Sequence, residues 1–269
     1  MSPRLLRPRA TGTVVVATDA DARAYVLAVN AADGQPLEPA VQLAINDFVV
    51  GCKADGIWSA IKASCILMGA RTLSGALTPL VGAAPTPFNF AAGDYNRKTG
   101  LVGNGTTKYL NTGRANNADG QDNKHGSVWI SQHHNPITTF ACPMGAGSNG
   151  SGAFNLATAT GFRVRFHSSG LTFPTGDPTP QTGLFGASRS ASGTFVLRAN
   201  GSDTTISNPS GAPSSDNLLV FVRGVNNATD VNTWFNGRLA FYSIGTNLAL
   251  ASLDSRVATL YNAIGAAVP

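Results

Sequence analysis

The chain has 269 residues, 43% of them hydrophobic, with 30 Gly and only 12% charged, about half the roughly 25% usual for globular proteins. Its net charge is +5, yet no basic stripe interleaved with aromatics marks a nucleic-acid platform, and no run reaches the roughly eighteen apolar residues that span a bilayer. These values predict a β-rich, turn-dense protein that buries a core as one large unit or two smaller ones, with a surface suited to being covered by partners.

Residues 1–18 read as a basic arm, because Arg4, Arg7 and Arg9 precede the first acid, Asp19. Clustered guanidinium groups suit a phosphate, a carboxylate or an acidic protein groove. Pro3, Pro8 and Gly12 interrupt the apolar residues, so no signal peptide is expected. Thr18 with Asp21 then resembles a capping box, and Ala22, Tyr25, Val26 and Val29 share one helical face before Gly34. A second stripe follows Pro36 and Pro39: Val41, Ile45, Phe48, Val49 and Cys52. After Asp55-Gly56, the residues Ile57, Trp58, Ile61, Cys65 and Met68 predict a third helix. Residues 19–81 are thus expected to form short amphipathic helices that dock on each other, on the rest of the chain or on another subunit.

A Pro- and Gly-rich connector, 82–93, leads into short apolar runs separated by Gly, Asn, Asp and Ser. Strands are predicted over 99–102, 108–110, 127–131, 138–142, 161–167, 183–188, 194–199, 217–222 and 238–244. In 161–167 the alternation puts Phe162, Val164 and Phe166 inward and Arg163, Arg165 and His167 outward. Asn200-Gly201 and Asn236-Gly237 read as turns at positive φ, the second leading into a strand with Leu239, Phe241 and Ser243 on one face. A closing helix places Leu250, Leu253, Val257, Leu260 and Ile264 together. So many short strands predict a mainly β sandwich or jelly roll over 82–269.

The candidate chemistry is sparse. Gly145, Gly147 and Gly150 match GxGxxG spacing, but residues 151–154 show no helical pattern, so a loop between strands is expected. His133 and His134, with His125 and Asp122, suggest a metal only weakly, since neighbours on a strand point to opposite faces. Asp119 and Asp122, among Asn116, Asn117 and Asn123, read as an Asx-rich turn before a calcium site. Glycoside hydrolysis usually takes two facing carboxylates, whereas Glu38 is the single Glu and lies outside the predicted β region. No Gly-x-Ser-x-Gly elbow is present, and Cys142 near His133 is a weak pair. Cys52, Cys65 and Cys142 are read as buried, reduced thiols, with assembly in a reducing cytoplasm. Turn chemistry accounts for the sequons at Asn104, Asn149, Asn200 and Asn227. No catalytic, cofactor-binding or metal-binding residue is assigned.

Two segments carry a resemblance. The run from Trp234 through Arg238 to Gly245, with its closing helix, resembles the last strand of concanavalin A-like, or laminin G-like, jelly rolls. Gln35 to Val41, Phe48 to Trp58, Ile61 to Leu67 and Gly93 to Leu101 are similar to a recurrent head in virion structural proteins of tailed bacteriophages. The resemblance implies a non-enzymatic virion component of the tail, a fibre or the capsid surface. Such a protein assembles in the host cytoplasm as a homo-oligomer, attaches to other virion proteins through its N-terminal region and displays the jelly roll outward. The alternative is a carbohydrate-binding adhesin using aromatic and Asn/Asp residues around 111–123 or 226–234. A depolymerase is a third reading.

Overall fold

The computed structural model describes residues 16–148, 150, 152–159, 161–168, 170, 172, 182–226, 228–230 and 232–269. Two helices come first, α1 (Ala20–Asp33) and α2 (Pro39–Ala54), then β1 (Ile61–Ile66) and the single turn α3 (Leu73–Ala76). The strands β2 (Thr86–Phe88), β3 (Tyr95–Asn96), β4 (Gly100–Val102), β5 (Tyr109–Ala115), β6 (Lys124–Gln132) and β7 (Ala141–Ala146) come after it. Next are β8 (Phe154–Thr158), β9 (Phe162–Phe166), β10 (Gly183–Arg189), β11 (Thr194–Ala199) and β12 (Ser202–Ser207). The chain closes with β13 (Asn217–Val220), β14 (Arg223–Val225), β15 (Ala228–Thr229), β16 (Arg238–Gly245) and α4 (Leu250–Ala267).

The strands make two sheets. The first runs β12-β11-β10-β6-β16-β4-β3, with β1 on the same edge of β16 as β4 but further along it. The second runs β15-β14-β7-β13-β5-β2, with β8 and β9 continuing from β7. Pairing is antiparallel except between β14 and β7. Between the sheets lies one apolar core, containing Leu110, Val128, Phe154, Phe162, Phe166, Phe185, Phe221 and Tyr242. A second core lies on the other side of the first sheet, where Val26, Val41, Phe48, Leu253, Val257 and Leu260 pack on Ile66, Trp129, Leu184 and Phe241. The architecture is a mainly β jelly-roll sandwich with helices layered on one sheet.

Local chemistry explains most elements. Asp19 caps α1 by accepting the amide N–H of Asp21 and Ala22, and Gly34 ends it at φ 68°. The cap is therefore Asp19 rather than Thr18, whose own N–H donates to Asn46 Oδ1. In α4 the buried residues are Leu250, Leu253, Val257, Leu260 and Ile264, the stripe read from the sequence. Asn200 and Gly201 both take positive φ, 48° and 74°, and join β11 to β12 as a tight hairpin.

Four further readings are corrected. The third predicted helix is a 3-10 turn, Trp58–Ala60, and the strand β1, which joins residues 19–81 to the first sheet. All its residues but Lys62 are buried, Cys65 in the inter-sheet core and Ile61 and Ile66 under the helices, so period-two alternation is missing. Leu239 and Phe241 face opposite cores, because the register with β6 shifts between them and leaves Ala240 as the extra residue. Asn236-Gly237 is not a positive-φ turn; Gly237 is needed for close approach, since a Cβ there would sit 2.4 Å from Gln132 O. His167 is buried rather than outward, because φ turns to 52° at the end of β9.

Of the basic arm, residues 1–15 lie outside the described residues, and Val16 donates its N–H to Gln42 Oε1.

Candidate functional site

The outer face of the second sheet gathers aromatic and amide side chains from strands far apart in sequence. Strand alternation sends Leu110 and Thr112 inward and leaves Tyr109 and Asn111 half-buried on the other side of β5. Register puts Phe88 of β2 opposite Tyr109 and Thr86 opposite Asn111, while β13 brings Leu219 to the other flank of Asn111. Phe88 and Tyr109 therefore stack, with ring centroids 4.3 Å apart and planes 3° from parallel. Trp234 stands edge-on to Tyr109 at 6.0 Å and 60°. Such cross-strand aromatic pairs hold each other's orientation. Phe88 remains 36% exposed on an edge strand whose Pro87 cannot donate to a neighbour.

Beside these rings lies a small depression of about 130 Å³, partly open to solvent and lined by Tyr109, Asn111, Asp216, Asn217, Leu219, Gly224, Ala228 and Thr229. Leu219 belongs to neither apolar core and is buried beneath this site. The β14–β15 hairpin forms the far wall. Gly224 lets it come close, since a Cβ there would lie 2.7 Å from Asn217 O and 3.0 Å from Leu219 Cγ. Phe221, at φ 74°, turns the chain from β13 toward that hairpin. Asn111 Oδ1 accepts the Gly113 N–H, which leaves its amide nitrogen to donate. Partial burial raises the Tyr109 phenol above its ordinary pKa, so it stays neutral and can both donate and accept. A concave, partly apolar surface with a few converging polar groups is the usual form of a ligand site.

The windows 111–123 and 226–234 thus contribute Asn111, Ala228, Thr229 and Trp234 to this face, whereas the residues weighed as metal ligands or catalytic groups lie elsewhere. His125 is buried, with Nδ1 2.6 Å from Thr246 O and Nε2 2.7 Å from Ser243 Oγ, and burial lowers its pKa to about 4. His134 Nδ1 accepts the Asn236 N–H, while the ring of His133 lies edge-on to Phe162. Among the described residues no three His, Cys, Asp or Glu side chains gather as a metal site. Asp119 pairs with both Arg114 Nε and Nη2, and Asp122 accepts from Ser210 Oγ, so the Asx-rich turn is knitted into the body. Glu38 holds Arg71 and Arg97 on the helical side. Gly145 and Gly147 lie at the end of β7, where the next element is the antiparallel β8 rather than a helix. All three thiols are buried, and desolvation raises each to about 12. Cys142 Sγ donates toward Met144 O and Leu156 O, at 3.0 and 3.1 Å, rather than toward a histidine. Asn104 forms an Asx turn with Thr106 and Thr107, whereas Asn149 and Asn227 lie outside the described residues.

One feature inside the sandwich had no sequence signal. Lys124 is fully buried, and its Nζ donates to the main-chain and side-chain oxygens of Asn116. Desolvation lowers its pKa to about 7. The same Asn116 Oδ1 lies 3.0 Å from His167 Nε2, and burial, then the Lys124 charge, lower that imidazole to about 3. Arg189 is buried nearby, donating to Phe166 O and Asn208 O. These groups tie loops to strands from within.

No family model and no curated protein matches the sequence. Solved structures of similar fold include the CBM40 of the Ruminococcus gnavus IT-sialidase bound to α2,3-sialyllactose, at 12% identity and TM-score 0.39, covering 50% of this chain and 82% of that one. The botulinum neurotoxin serotype D binding domain shares 12% identity at TM-score 0.46, with 74% of this chain aligned to 51% of that structure. Domain 4 of AbnA, an extracellular GH43 arabinanase of Geobacillus stearothermophilus solved with arabinotriose, shares 17% identity at TM-score 0.36, covering 65% of this chain and 82% of the domain.

Proposed function

We propose that the chain is a non-enzymatic, carbohydrate-binding jelly-roll protein whose glycan site is the outer face of the second sheet. The observation that carries this reading is the placement of Phe88, Tyr109 and Trp234 beside Asn111, Asp216, Asn217 and Thr229. The apolar face of a sugar ring stacks on an aromatic ring, while its hydroxyls need donors and acceptors converging from the side. Asp216 is the sole carboxylate among the described residues lining the depression, so a second carboxylate for acid–base hydrolysis is not at hand there. Glu38 is held by two arginines on the helical side. Asp177 lies outside the described residues. Titration of the full chain against a glycan array tests the proposal: saturable binding that Trp234→Ala weakens supports it, and absence of any saturable signal rejects it. Release of reducing ends from a bound polysaccharide would instead mark a depolymerase.

The setting we propose is a bacteriophage particle, in the tail or a fibre, with attachment through the N-terminal region and self-association. The sequence resemblance of residues 35–101 supports it, together with the exposed apolar side chains Leu27, Leu43 and Val50 on the outer helical surface. Mass spectrometry of purified particles should find the chain at fixed stoichiometry, and its absence from them rejects this setting.

A further inference from the structure

The buried side chains between β5, β6 and β9 are set for chemistry of their own, independent of any glycan. Asn116 directly follows β5 of the second sheet, Lys124 opens β6 of the first, and His167 directly follows β9. All three are fully buried. Lys124 Nζ lies 2.9 Å from Asn116 Oδ1, and it also reaches the Asn116 main-chain oxygen and the Phe154 ring. Among the described residues no carboxylate pairs with it, and Asp119, the acid whose charge acts on it, is held by two nitrogens of Arg114. Burial therefore favours the neutral amine and lowers its pKa to about 7. A desolvated lysine amine is a nucleophile, and here it faces an amide. Asn116 Nδ2 donates to Gly152 O at 2.8 Å and to Ser214 Oγ at 3.2 Å, which turns Oδ1 toward Lys124 and His167. Oδ1 has no hydrogen to give, so His167 Nε2, 3.0 Å away, carries the proton and donates it. The other ring nitrogen makes the longer contact, 3.3 Å from Gln121 O.

We propose that Lys124 and Asn116 join in an intramolecular amide bond, a covalent link between the two sheets that the folded chain makes by itself. The Nζ lone pair attacks Asn116 Cγ, which is no more than about 4 Å away because a C=O bond is about 1.2 Å long. Charge gathering on Oδ1 is met by the His167 Nε2–H, acting as an oxyanion donor. The Nζ–Cγ bond forms and the Cγ–Nδ2 bond breaks, its electron pair staying on nitrogen. One proton passes from Nζ to Nδ2, beside which the Ser214 hydroxyl is placed to relay it, and ammonia departs. Nothing else is consumed. Holding amine against amide replaces a bimolecular encounter, and burial keeps water from competing as the nucleophile. The free amine titrates, whereas the amide does not.

Mass spectrometry of the purified full chain, incubated folded at neutral pH, tests this directly. The expected mass is below that of the sequence by one ammonia, about 17 Da. Trypsin does not cut after an acylated lysine, so digestion of the denatured protein should yield a peptide spanning 115–163, light by the same amount. Its fragment spectrum should show Asn116 branched to Lys124. In Lys124→Met the ammonia should be retained. A wild-type chain that keeps its full mass and is cut after Lys124 overturns the proposal, and this result does not depend on how well any variant folds. Ammonia loss that persists in Lys124→Met would mark a succinimide at Asn116 and overturn the proposal as well.

Discussion

On the first sheet the outward residues Ile66, Trp129, Leu184 and Phe241 are apolar and lie under α1, α2 and α4. On the second sheet Phe88, Tyr109, Asn111 and Asn217 face outward, and none of the described helices covers them. Both sheets contribute their inner faces to one core, so the sandwich itself does not require this difference. The covered face follows the ordinary logic of burial, in which apolar area is removed from water and polar area is left to it. The open face breaks that logic by leaving stacked rings at the surface. Aromatic exposure beside fixed amides makes sense as unspent contact area for a ligand.

The sharpest way to break the comparison is to remove one ring from each side. Phe241 is buried under the helical layer, edge-on to Phe48 at 5.7 Å. Phe241→Ala should cost about 3–5 kcal/mol, the usual range for a fully buried aromatic. Chemical denaturation should show the midpoint falling with little change in slope. A loss below about 1 kcal/mol would mean that the helices only lie against the sheet.

Acid should act next, through groups inside the sandwich rather than on either outer face. Burial holds His125 near 4 and His167 near 3 in the folded state, against about 6.5 when unfolded. The unfolded chain therefore binds more protons below pH 6.5, and stability falls as pH drops toward the folded values. Between pH 5.5 and 4.5 each histidine contributes a loss of about 1.4 kcal/mol. Unfolding measured across that range should show it, and His167→Gln should reduce the slope.

Lys124 gives the alkaline counterpart in chains that retain the free amine. Its folded pKa is depressed to about 7, so between pH 7 and about 8.5, where unfolded thiols begin to ionise, the unfolded chain again binds more protons. Stability should rise across that window and be lost as pH falls back through 7. Lys124→Met should flatten the rise. A slope unchanged by that substitution would show that the ammonium is hydrated in the folded chain.

The regular parts of this fold are legible in the sequence. Each of the nine predicted segments overlaps an observed strand, and the α4 stripe matches residue by residue. Structure buried on two sides or created by register escapes such reading. In β1, Ile61 and Cys65 fit helical spacing as well as a doubly buried strand, so periodicity has nothing to separate them. At Ala240 one extra residue reverses the facing of everything after it, which no single-strand pattern reveals. The site is half visible. The windows around Asn111 and Trp234 stand out in the sequence as places for a glycan, while Phe88 sits in a Pro- and Gly-rich connector and Asp216 in a turn. Only the β2–β5–β13 pairing brings these pieces onto one face.

Phe88→Ala is the mildest substitution for the fold and the one that separates the two faces most cleanly. Phe88 lies on the edge strand β2, all of whose residues are exposed, and its ring contact is the stack on Tyr109. An aromatic pair contributes about 0.5–1.5 kcal/mol beyond its burial, so the melt should move little. Glycan binding should respond more, because the substitution removes one exposed ring and frees Tyr109 to leave the orientation the ligand needs. Calorimetric titration should then show weaker binding of an oligosaccharide by a protein of nearly unchanged stability. Equal effects on both would make Phe88 a structural residue like Phe241, and the contrast between the two faces would lose its functional meaning.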